Sequence, residues 1–157
     1  MEKPATKLIK RLQERKQTLA LAESMTCGLA AHQLSTVKGT SEVLLGSMVC
    51  YHESAKSCLL HVDKKLIKKY TAESQEVTDA LAKKLSKLIT ADFYGAITGL
   101  ASEGGSERKG KPVGTVFFSV YYKRKMHRLR KVFRGTPLEI RKKAVKALYD
   151  LIVEVAE

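Results

Sequence analysis

The sequence predicts an α/β protein, with a mixed, mainly parallel five-stranded sheet between two layers of helices. Three observations predict it. Short apolar runs alternate with amphipathic stretches through most of the chain, the signature of strand–helix–strand units. One hairpin pattern comes late, at Pro112–Arg134, and adds antiparallel strands to a sheet that is otherwise parallel. The chain has 157 residues with no internal repeat and no low-complexity linker, so residues 1–157 are expected to form one domain.

The elements follow in order. Ala5–Arg15 places Leu8, Ile9 and Leu12 at helical spacing with basic residues opposite. Thr18–Ala22 (TLALA) is a short apolar run read as a buried strand over about 18–23. The loop Glu23-Ser24-Met25-Thr26-Cys27-Gly28 leads to a helix over Gly28–Ser35. Gly39–Glu42 is a turn, and a strand is expected over 44–52. Glu53–Leu60 and Lys64–Lys69 read as short helices. Gln75–Ile89 is the clearest helix, with Val77, Ala80, Leu81, Leu85, Leu88 and Ile89 on one stripe. Strands are expected over 93–98, 113–123 and 126–134, around a polar, glycine-rich loop at Ala101–Lys111. Pro137 opens the last helix, where its missing N–H costs little.

Composition narrows the function classes. No apolar run approaches a membrane span, and the N-terminus lacks a secretory h-region. Cys27, Cys50 and Cys58 are odd in number and form no CxxC pair, which points to a reducing, cytoplasmic setting. His32, His52, His61 and His127 form no metal-ligand spacing, so neither a metal nor another cofactor is expected. The formal net charge of +13 would attract nucleic acid, anionic membranes or phosphorylated small molecules. A lysine-rich solvated surface is the plainer account of it, and aromatics interleaved with the cations are not visible.

Candidate chemistry lies where strands end, since ligands of open α/β sheets bind at the carboxyl edge. Ser24, Thr26 and Gly28 follow the first strand. Tyr51 and Lys56 follow the second, and Thr98 and Gly99 the third. Ser41 lies ahead of the second strand, a less secure position. An amide hydrolase without a metal needs a hydroxyl nucleophile, a base and oxyanion donors. Ser24 and Ser41 are the candidate nucleophiles, and Lys56 can act as base if burial lowers its pKa. Gly28, Gly39, Gly99 and Gly114 allow close approach of backbone to ligand. Taken singly, these residues have plain structural readings. Ser41 reads as a cap, Lys56 as a solvated lysine, Tyr51 as a rim residue and Cys27 as a filler. No GxSxG elbow and no P-loop occur.

Motifs in series carry a resemblance. Ala22–Gly28 (AESMTCG) is similar to AESCTGG, and Gly39–Lys56 (GTSEVLLGSMVCYHESAK) to a G-S-S turn, a strand and T-Y-S-N-x-x-K. Thr98–Val116 (TGLASEGGSERKGKPVGTV) resembles T-G-I-A-G-P-x-G-G followed by K-P-V-G-T-V. Arg134-Gly135 and Ile140-Arg141 resemble an F-x-G-D-R-x-x-x-R ending. Over about residues 5–155 the chain resembles the CinA C-terminal family, whose bacterial members deamidate nicotinamide mononucleotide to nicotinic acid mononucleotide and ammonia.

The resemblance implies a three-layer α/β/α sandwich and a nicotinamide-nucleotide amidase without metal. It implies Ser41 as nucleophile and Lys56 as base, with Tyr51 and Ser24 as supporting groups, and Ser24 as the alternative nucleophile. Thr26, Gly28, Thr98, Gly99, Gly114, Thr115 and Arg141 are the expected substrate-binding positions. The expected partners are a small nucleotide substrate and further copies of the chain, not a membrane. Cys27, Ser102-Glu103 and Thr136-Pro137 depart from the family pattern. They leave open a member with altered catalysis that only binds a nucleotide or a protein. A nucleic-acid-binding protein is the third class, supported by charge alone.

Overall fold

A computed structural model describes residues 1–157. The elements are α1 (Pro4–Glu14), β1 (Leu19–Glu23), α2 (Leu29–Ser35), a 3₁₀ turn (Thr40–Glu42), β2 (Leu44–Val49), α3 (Glu53–Leu60), α4 (Lys64–Tyr70), α5 (Gln75–Leu88), β3 (Phe93–Gly99), β4 (Thr115–Tyr122), β5 (Lys125–Val132) and α6 (Pro137–Val155). The five strands form one sheet in the order β2-β1-β3-β4-β5. β1 pairs in parallel with β2 and β3, while β4 runs antiparallel to both β3 and β5. All strands except β4 therefore point the same way, and the predicted mixed α/β sheet is found.

Side-chain alternation along the strands divides the core in two. Leu19 and Leu21 of β1, with Phe93 and Ile97 of β3, face α1, α2 and α6. Ala20 and Ala22, with Tyr94 and Ala96, face α3, α4 and α5. Small alanines on the second face let α5 lie close to β1 and β3. All five residues of β1 are buried, as expected for a central strand covered on both sides. α6 opens with a capping box between Thr136 and Glu139 and with Pro137 in its first turn, a pairing that satisfies the helix's first donors.

Boundaries differ from expectation for local reasons. β2 stops at Val49, not near Tyr51, because Cys50 N–H donates to the Glu23 carbonyl while its own carbonyl turns to Lys56 Nζ. Gly28 caps α2 from outside at φ 91°. Leu88, assigned to the buried stripe of α5, is exposed, and Thr78 is buried instead. The hairpin turns through Lys123 and Arg124, both at positive φ (46° and 64°), which suits the twist of a two-residue hairpin turn.

β5 forms the outer edge of the sheet and most of its side chains are exposed. No aspartate or glutamate occurs between Glu107 and Glu139, so this edge is purely basic apart from the pairing of Arg128 Nε with Asp79 Oδ2 of α5 at 2.6 Å. The opposite edge, β2 (LLGSMV), carries no charge, and Leu45 and Val49 are exposed there. No helix is long and apolar enough to cross a membrane.

Candidate active site

The carboxyl ends of β1, β2 and β3 lie on one edge of the sheet and open into a cleft of about 1020 Å³. Ser24, Tyr51, Gly99 and Arg141 line it, with the start of α3, the cleft side of α4 and the loop 99–106. Ser24 sits one residue beyond β1, and its N–H extends the ladder to the Ile97 carbonyl at 3.1 Å. Its position is thus set by the centre of the sheet.

Lys56 is 1% exposed, although it comes from a short helix near the surface. Its Nζ contacts Ser24 Oγ at 2.9 Å, the Cys50 carbonyl at 2.7 Å and the Tyr51 carbonyl at 3.1 Å. Burial pushes the Lys56 pKa below the ordinary lysine value; Glu73, Cys50 and Glu53 act in the opposite direction. An ammonium donates through all three hydrogens. In the neutral amine, two hydrogens can stay on the two carbonyls, which leaves the lone pair directed at the Ser24 hydroxyl. That is the geometry a general base requires.

The expected contact between Ser41 and Lys56 is not formed. Ser41 lies in the exposed 3₁₀ turn ahead of β2, at the amino end of the strand whose carboxyl end leads to Lys56. In a parallel sheet that is the edge away from the cleft. Ser41→Ala is therefore expected to leave activity unchanged and to alter stability by less than about 0.5 kcal/mol, as for an ordinary exposed site. Thermal unfolding together with any turnover assay checks this.

Tyr51 reaches Lys56 through its carbonyl, and its ring, on a residue 58% exposed, stands at the cleft rim. The three threonines among the expected substrate-binding positions are buried and already bonded. Thr26 Oγ1 donates to Glu23 (2.7 Å), Thr98 Oγ1 pairs with Thr78 Oγ1 (2.9 Å) and Thr115 Oγ1 donates to the Pro112 carbonyl (2.6 Å). None of the three lines the cleft. Gly28 N–H is held by Glu23 at 3.1 Å. Gly114, at φ 95°, packs where any Cβ would collide with the Phe133 carbonyl, so its role is in packing β4 against the chain after β5. Gly99 lines the cleft, and it too lies against backbone, at Thr115 O and Val116. Arg141 donates from Nε to the Met25 carbonyl at 2.8 Å, leaving its terminal nitrogens for a ligand anion.

Three departures from the family pattern separate in space. Glu103, with Ser102, lines the cleft; Cys27 and Thr136-Pro137 do not.

Two buried charges went unnoticed in the sequence. Glu23 is fully buried. Its carboxylate accepts from the Thr26 and Ser47 hydroxyls and from the N–H groups of Gly28, Ala30 and Ala31, all between 2.7 and 3.1 Å. It thereby closes the first turn of α2, where a negative group also suits the helix dipole, and it shapes the loop after Ser24. Lys111 is 4% exposed and reaches the Thr71–Glu73 connection between α4 and α5. Thr71 holds φ 72° and ψ 159°, a backbone region that essentially only glycine enters, at a cost on the order of 1–3 kcal/mol. His52, given no role from sequence, caps α3 by accepting the Ser54 N–H at Nδ1.

Comparison with known proteins agrees with this architecture. The family model described as the CinA C-terminal domain matches residues 1–156. A CinA-like protein of Pseudothermotoga lettingae is 41% identical over 114 residues, which is 72% of this chain but 28% of that protein. The chain thus spans about a quarter to a third of the curated relatives' length. Among solved structures, a competence-damaged protein (CinA) superfamily protein of Klebsiella pneumoniae superposes with a TM-score of 0.92 at 26% identity, covering 98% of this chain and 95% of that one. A superfamily protein of Escherichia coli gives 0.91 at 27% identity, covering 97% and 88%.

Proposed function

The chain belongs to the CinA C-terminal domain family, and on that premise we propose that it is a serine amidohydrolase acting on the carboxamide of nicotinamide mononucleotide, with Ser24 as nucleophile and Lys56 as base. The observation that carries this is the buried Lys56 amine, anchored by two carbonyls and in contact with the Ser24 hydroxyl. A lysine in such a place is costly to bury charged, and its one side-chain partner is a hydroxyl at the floor of a cleft. Ser41 stands in the exposed turn ahead of β2 and makes no hydrogen bond to Lys56, whose hydroxyl partner is Ser24.

In the proposed reaction, neutral Lys56 takes the Ser24 proton as Oγ adds to the amide carbon. The backbone N–H groups of Met25 and Thr26 have no acceptor among the chain's backbone hydrogen bonds. As the donors that follow the nucleophile, they are placed to stabilise the developing oxyanion. Lys56 then returns its proton to the departing ammonia. A water activated by the same amine hydrolyses the acyl-enzyme. Arg141, fixed through Met25, supplies a cation at the cleft for the nucleotide phosphate.

The test is ammonia release from nicotinamide mononucleotide across a pH series. Because the base must be neutral, the rate should rise with pH through a midpoint below that of a free lysine, 10.5. No ammonia from the mononucleotide or related amides, or a rate that does not change with pH, would overturn the assignment.

A further inference from the structure

We propose that Lys111 is a positioning residue: through Ser106 it fixes the Glu73 carboxylate on the cleft wall, where Glu73 acts on the Ser24–Lys56 pair. The proposal rests on the preceding assignment of Lys56 as base.

A chain of hydrogen bonds carries it. Lys111 Nζ donates to Ser106 Oγ at 2.7 Å, and Ser106 Oγ donates to Glu73 Oε2 at 2.5 Å. The same ammonium donates to Thr71 Oγ1 at 2.7 Å and to the Glu73 carbonyl at 3.0 Å. All three donors are engaged, and they join the glycine-rich loop to the α4–α5 connection, both of which line the cleft. Lys111 is itself planted in a tight turn, exchanging both backbone hydrogen bonds with Arg108 at 3.1 and 2.9 Å. Thr71, the residue it grips, keeps a backbone shape unfavourable for threonine. Such a shape persists only where the surroundings hold it. Thr71, Glu73 and Ser106 line the same cleft as Ser24.

Glu73 is also the largest charge opposing the effect of burial on Lys56, and it acts in the same sense on Lys111. The other groups facing Lys56 are Cys50 at the end of β2 and Glu53 on its own helix. Lys64 and Lys68 of α4 and Arg141 of α6 lie around the cleft. Lys111 is further opposed by Arg108 and Arg130 and favoured by Glu107. The Ser106 hydrogen bond holds the Glu73 carboxylate on the wall, whereas a carboxylate released into the cleft would be screened by water.

Lysine ¹³Cε titration by NMR reads this with no turnover required, so its outcome is separate from that of the ammonia assay. The Lys56 signal is identified by its absence from Lys56→Met. Glu73→Gln should lower the Lys56 midpoint by about half a pH unit or more. Lys111→Met and Ser106→Ala should shift it in the same direction, and Glu73→Gln/Lys111→Met no further than Glu73→Gln alone. An unmoved or raised midpoint in Glu73→Gln overturns the proposal. So does a midpoint unmoved in Lys111→Met or Ser106→Ala when Glu73→Gln shifts it. Should Lys111→Met fail to fold, Ser106→Ala, which keeps the lysine, decides alone.

Discussion

Ser24→Ala should reduce ammonia release by a factor on the order of 10⁴–10⁶, because no covalent route remains once the nucleophile is gone. Lys56→Met should cost about as much, and the double variant no more than either single one, since nucleophile and base work as one unit. The two differ in what they do to the fold. Without the Ser24 hydroxyl, Lys56 keeps its bonds to the Cys50 and Tyr51 carbonyls, so Ser24→Ala should unfold near the wild-type temperature. Lys56→Met strips both carbonyls of their donor at the turn from β2 into α3. Turnover and thermal unfolding measured on the same samples check both statements. Near-full activity in Ser24→Ala would place the nucleophile elsewhere.

Glu23→Ala should lower stability by about 3–5 kcal/mol. Its carboxylate is the acceptor for three backbone N–H groups at the start of α2 and for the Thr26 and Ser47 hydroxyls. Alanine leaves those donors buried and unpaired, and each such group carries its desolvation cost. For a chain of this size the melting temperature should fall by roughly 10 °C. Glu23→Gln keeps an acceptor oxygen but turns an NH₂ toward the same donors, so it should lie between alanine and wild type. Thermal unfolding of the two variants measures this. A wild-type melting temperature in Glu23→Ala would mean that the loop after β1 holds itself without the carboxylate.

The order and type of the elements were legible because the periodicities are strong: TLALA is a buried strand by run length, and α5 a helix by its stripe. Lys56 was legible only through the motif, since nothing local distinguishes it from the other lysines. The position of Ser24 was in fact readable. It follows a parallel strand directly, and the carboxyl edge is where such sheets bind ligands. Ser41 precedes a strand and so belongs to the other edge; the motif alone obscured this. The hydroxyls of Thr26, Thr98 and Thr115 are taken up inside the chain, because a hydroxyl at a strand end finds nearby partners of its own, and sequence does not show which. Glu23 and Lys111 were missed for the opposite reason. A buried charge looks like a solvated one until the donors and acceptors from distant segments close around it.

The basic outer strand bears on how the molecule behaves among many others. An edge strand offers a row of open backbone donors and acceptors to any second sheet. Along β5, two copies meeting edge to edge would bring Lys125, Arg128, Arg130 and Lys131 of each into contact, with only one of these cations paired within its own chain. That repulsion opposes edge-to-edge pairing of β5, and it reaches about 8 Å at physiological ionic strength and less as salt is added. The barrier to pairing along this edge is therefore electrostatic and weakened by salt, whereas the uncharged β2 edge has no such barrier.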